Sequence, residues 1–163
     1  MPEHDLSLRE FQPRTALVTE DHTPAQARFP AVDAHNHLRR ALDQPDELFA
    51  LLDTLNVHAI VDLDGGWGEQ LDQPLSRLKA LYPERICVFA WVDWAEADEP
   101  DFGARWADRL AEAVDAGAQG LKVFKRLGLS YRDRSGALIR VDDPRLDPVW
   151  AAAGELGIPV LIH

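Results

Sequence analysis

Cysteine is nearly missing from this chain. Cys87 is the only one in 163 residues, so no disulfide can form within it and packing must hold the fold. Cys87 sits in "RICVFAWV" and reads as a small buried apolar residue rather than a reactive thiol. Positive charge is also short: 17 Lys and Arg face 28 Asp and Glu, a net charge of −11. Such a surface repels phosphate backbones, which argues against nucleic acid as a partner. No apolar run approaches the roughly 18 residues of a membrane span. The opening "MPEHDLSLREFQPRTALVTE" lacks the apolar core of a secretory signal, so the expected location is cytoplasmic, with no membrane partner.

What is present has the composition of an ordinary globular domain, 46% hydrophobic and 28% charged. Residues 1–29 read as an irregular N-terminal lead-in, with charges, prolines and no sustained period. From residue 30 onward, short β-rich apolar runs alternate with helical patterns. The runs are "PAVDAHNH", "HAIVDLDGG", "ICVFAWVDW", "QGLKVFK" and "IPVLIH", each expected to be a buried strand of a parallel sheet. Between them, "PDELFALLDTLN" carries an apolar stripe at helical spacing. "EQLDQPLSRLKALYP" predicts a helix from around Pro74, and "DFGARWADRLAEAVDAGA" one that stops at Gly117. "DPRLDPVWAAAGELG" predicts a helix with Asp147 as N-cap and Pro148 at its first position.

Strict β-α alternation implies parallel strands joined by right-handed crossovers. No GxGxxG or GxxxxGK follows the first strand, so the nucleotide-binding versions of such sheets lose their usual signal. The expected fold class is therefore α/β of the (β/α) TIM-barrel type, occupying residues 30–163. A closed eight-stranded barrel typically needs about 250 residues, so the chain is expected to supply the first five strands of an incomplete barrel. In that fold, chemistry gathers at the C-terminal ends of strands.

His35 and His37 stand at such an end. Alternate strand residues share a face, which puts their stems roughly 6–7 Å apart, within reach of one ion. Lys122 lies among apolar residues in the fourth strand, and a buried lysine is costly unless paired, neutralised or modified. His163 closes the fifth strand. Three strands thus deliver ligand-type residues to one rim. Lys125 falls on the opposite face from Lys122.

"FPAVDAHNHL" resembles the DxHxH opening of the amidohydrolase superfamily, and "GLKVFK" with "GIPVLIH" resembles its fourth and fifth strands. The likeness is to amidohydrolase-related metal-dependent hydrolases over residues 29–163, their N-terminal portion. It implies a distorted (β/α) barrel holding one or two divalent ions, usually zinc. His35, His37 and His163 would then be metal ligands. Lys122 matches a lysine that some members carboxylate to bridge two metals, although single-metal members lack it. The implied function is hydrolysis of an amide, ester or lactone bond of a small-molecule substrate by a metal-activated water. The proton-moving aspartate belongs to strand eight and a further histidine to strand six, both beyond residue 163. The chain is accordingly expected to be a fragment that catalyses poorly or not at all alone. The alternatives are a decarboxylase on the same scaffold, or a non-catalytic half-barrel serving as a binding or assembly module, with homo-oligomerisation left open.

The loops give weaker signals. "DGGWGEQLDQ" places Trp67 among glycines, either against a ligand or on the surface. "DWAEADEPDF" is a solvated acidic loop carrying Asp93 and Trp94. "YRDRSGALIRV" predicts a hairpin turning at Arg134-Ser135-Gly136, with Arg132, Arg134 and Arg140 either at a lid rim or in solvent.

Overall fold

A computed structural model describes residues 22–163 continuously and residues 7, 9, 11–13, 17 and 20 before them. About half of the expected lead-in, 14 of its 29 residues, thus lies outside the described residues. The five β-rich runs form strands β1 (Ala31–Asn36), β2 (Val57–Asp62), β3 (Ile86–Trp91), β4 (Gly120–Val123) and β5 (Val160–Ile162). All neighbours are parallel, in the order β1-β2-β3-β4-β5. The sheet is the curled, half-barrel part of an α/β fold. No helix among the described residues is long and apolar enough to cross a membrane.

Alternation along the strands divides two faces. Ile60, Ile86, Val88, Ala90, Leu121 and Val123 join the helices in one apolar core. Cys87, Phe89, Trp91 and Lys122 fall on the other, concave face. Cys87 is consequently only half-buried, not the buried residue its apolar context suggested. The edge strands also depart from expectation. β1 and β5 have a neighbour on one side only, and Val32, Val160 and Ile162 are exposed. Their sequences look like interior strands because composition records apolar character, not how many neighbours cover it.

The helices are α1 (Pro45–Thr54), α2 (Glu69–Pro74), α3 (Phe102–Asp115), the single kinked turn α4 (Arg126–Leu129) and α5 (Asp147–Glu155). Two predicted starts are corrected. Pro74 lies inside its helix rather than opening it. Proline has no N–H for the preceding turn, and the chain continues as a wider turn, Leu75–Lys79, in which the Ala80 N–H reaches the Leu75 carbonyl. In α5, Asp147 makes no capping bond; it is Asp143 that accepts from the Arg145 N–H and starts a preceding 3₁₀ turn, Pro144–Leu146. α3 and α5 pack closely because residue 103 is glycine. A Cβ there would lie 2.7 Å from the Pro148 ring and 2.8 Å from the Arg145 carbonyl oxygen.

Charge ties two of the loops above the sheet together. The hairpin forms as a single antiparallel bridge, Arg132 to Leu138, with its turn closed by Asp133 and Gly136 at φ +85°. Arg145 pairs with Asp98 of the β3–α3 loop and with Asp143 at 2.6 Å, with Asp133 3.6 Å away. Arg134 adds a 2.7 Å bond to Glu99, and its N–H also reaches Asp98. Hydrogen bonds from the Ser135 hydroxyl and from Arg145 hold the Asp133 and Asp143 carboxyls below their ordinary values, respectively. Their stabilisation is present above the ordinary carboxylate pKa and is lost as pH falls through the lowered one. Arg145→Ala leaves three carboxylates without their shared cation. It is expected to cost about 1–2 kcal/mol, moderated by partial exposure, and to speed amide exchange across 131–142 as measured by hydrogen–deuterium exchange.

Candidate metal centre

The end of β1 is shaped by its own polar side chains. Asp33 accepts from the His35 N–H at 3.1 Å and from the Asn36 amide at 2.7 Å, while Asn36 accepts from the His37 N–H at 2.8 Å. These local bonds compete with the strand ladder, and the β1–β2 register slips between Asp33 and Asn36. The histidines therefore sit where pairing gives way to loop, with both rings exposed. Their ring centres are 5.7 Å apart.

His163 comes from the opposite edge. β1 and β5 are four strand steps apart in the sheet, about 19 Å if it were flat. Curling nevertheless brings the ring of His163 to 5.1 Å from His35, with the ring planes at 90°. The His163 N–H donates to the Val123 carbonyl, which fixes the residue just past β5. Its imidazole is held below the ordinary value, chiefly by the positive charge of Lys122.

Lys122 lies on the same face, completely buried, and its Nζ has no hydrogen-bond partner. Its nearest polar substitute is the face of Phe124, 5.2 Å from Nζ to the ring centre. Burial lowers its pKa. Lys125 is exposed and lies past the end of β4, so the strand alternation expected to turn it to the opposite face does not apply to it.

Two aspartates join the site that were not among the expected residues. His37 Nδ1 is 2.9 Å from an Asp64 carboxylate oxygen; with the Nδ1–H donated there, Nε2 is left as the ring nitrogen that carries a lone pair, as a ligand would need. Asp62 is buried, and one of its oxygens accepts from the N–H groups of Leu38 and Asp64 at 3.1 and 3.0 Å. It ties the chain after β1 to the chain after β2, and burial pushes its carboxyl up. The signal was in "VDLDGG": two acids one residue apart at a strand end, the same spacing that singled out the histidines.

Two imidazoles on one tetrahedral ion, with each nitrogen about 2.0–2.1 Å from it, place their ring centres roughly 5 Å apart. The 5.1 and 5.7 Å separations and the orphaned Nζ of Lys122 fit such a group in donor chemistry and pairwise spacing. The fit is pairwise, with His35 the shared member. Among the described residues no group of three or more His, Cys, Asp or Glu is arranged to hold an ion.

The loop candidates lie elsewhere. Trp67 meets Trp106 edge-on at 5.6 Å in the helix layer. Asp93 caps the turn Trp94–Glu96, and Trp94 is buried. Arg132 bonds the Gly136 carbonyl, Arg134 pairs with Glu99, and Arg140 pairs with Asp142. The chain matches no family model, no curated protein and no solved structure.

Proposed function

We propose that this chain carries the metal-holding part of a hydrolase centre of the amidohydrolase type, on a TIM-type barrel scaffold, acting on an amide, ester or lactone bond. The observation that carries the proposal is the meeting of His35 and His37 from one sheet edge with His163 from the other. His35, His37 and His163 would hold a divalent ion, most simply zinc, with Lys122 beside it. Such an ion, when bound, supplies a nucleophilic water at neutral pH and polarises a carbonyl. Asp64 orients the His37 ring through the 2.9 Å contact. Asp62 holds the two loops in register for that contact.

Calorimetric titration with zinc tests the proposal: saturable binding of one or two ions per chain is expected, and no saturable binding would overturn it. Asp64→Asn keeps the shape but removes the carboxylate charge. It is expected to weaken zinc binding about 10- to 100-fold, as read in the same titration. An unchanged affinity would remove Asp64 from the site.

A further inference from the structure

The concave face departs from what fills most barrels. Branched aliphatic residues usually dominate there, but here Phe89, Trp91 and Phe124 lie against it. Phe89 pairs in register with Gly120, and Trp91 with Lys122. Glycine is required at 120 because a Cβ there would meet the Phe89 ring at 2.5 Å. With that space the Phe89 ring lies flat across the sheet and is itself buried.

One layer nearer the histidines, Trp91 and Phe124 meet edge-to-face at 4.6 Å. The indole is fixed by a 2.6 Å bond from its Nε1–H to the Leu63 carbonyl. Phe124 in turn stacks on His37 at 6.1 Å. Rings therefore run without a break from Trp91 through Phe124, His37 and His35 to His163. The core does not consume the first two. Phe49, Trp94, Phe102 and Trp106 belong to the helix-facing core, and Trp67, Tyr82, Tyr131 and Trp150 pack against it, but Trp91 and Phe124 do neither. Both are half-buried rather than fully covered.

We propose that this surface is a subsite for an aromatic ring of the substrate, laid against Trp91 and Phe124 beside the histidine cluster. The proposal rests on the cluster being the reacting centre. A fixed edge-to-face pair offers both ring geometries that aromatic groups prefer, edge contact with one partner and offset stacking on the other. Because the indole is already anchored, a bound ring would cost little further ordering.

The test uses benzamide and cyclohexanecarboxamide, which share the amide and differ in the ring. Dissociation constants are read from tryptophan fluorescence and from ligand-observed saturation transfer, with and without zinc. Benzamide is expected to bind about three- to tenfold more tightly. Phe124→Leu and Trp91→Leu are expected to abolish that preference, and Phe124→Tyr, which keeps the ring, to retain it. Circular dichroism confirms the fold of each variant. Equal affinities in the parent chain, a preference that survives both leucine variants, or no binding of either amide would overturn the subsite. Zinc titration separates the two ideas. A chain that prefers benzamide but takes up no zinc keeps the subsite and loses the metal centre, and the reverse result does the opposite.

Discussion

Alanine at His35 is expected to weaken zinc binding by roughly 100-fold or more, a larger loss than a supporting residue would give, while leaving the unfolding midpoint unchanged. His35 is the only one of the three rings with both of the short separations, 5.7 Å to His37 and 5.1 Å to His163. Its removal leaves two imidazoles with no common neighbour between them. The ring is exposed and outside the apolar core, so little packing is lost. Its backbone N–H still bonds Asp33, because that contact does not involve the side chain. His37→Ala differs in a telling way, since it also strips Asp64 of the imidazole 2.9 Å away. Calorimetry for zinc and urea denaturation for stability separate the effects. Full zinc affinity in His35→Ala would end the assignment of these histidines as ligands.

The histidine pair was legible as two imidazoles one residue apart at a strand end, but strand alternation alone does not place them. β1 stops at Asn36 and its register slips before it, and local bonds from Asp33 and Asn36 shape the turn that holds the rings 5.7 Å apart. His163 was legible only as a residue type at a strand end. Its approach to His35 depends on sheet curvature summed over four strand steps, which no local pattern encodes. The strands were found because β-branched and aromatic runs mark them, but coverage was not: Val32 and Ile162 are exposed because β1 and β5 are the sheet's edges, which no apolar run records. Pro74 misled because proline favours a helix's first turn, yet here a wider turn absorbs its missing N–H. Asp143 took the capping role expected of Asp147 because Pro144 opens an extra turn ahead of α5. Trp91 and Phe124 gave no signal at all. An aromatic residue in a strand looks the same whether it faces the core or the concave side.

Methionine at Lys122 is expected to make the metal-free protein more stable, by about 1–3 kcal/mol near neutral pH. Lys122 is fully buried with its Nζ unpaired, and the Phe124 face 5.2 Å away returns only part of the lost hydration. Methionine fills nearly the same unbranched volume without the charge. The pH dependence follows from the same burial. Its pKa is lowered from 10.5 in the fold, so between the lowered value and 10.5 the unfolded chain binds more protons than the folded one. Stability of the parent chain must therefore rise with pH across that window. The advantage of Lys122→Met is greatest below the lowered pKa and shrinks as pH climbs toward 10.5. Zinc titration should move the other way, with weaker binding in the variant if Lys122 supports the ion. Urea unfolding in EDTA at several pH values reads the first effect, and calorimetry reads the second. A Lys122→Met variant less stable than the parent without metal would mean that the ammonium already has a partner in the fold. The burial of Lys122 would then be structural, and its place in the metal centre would have to be given up.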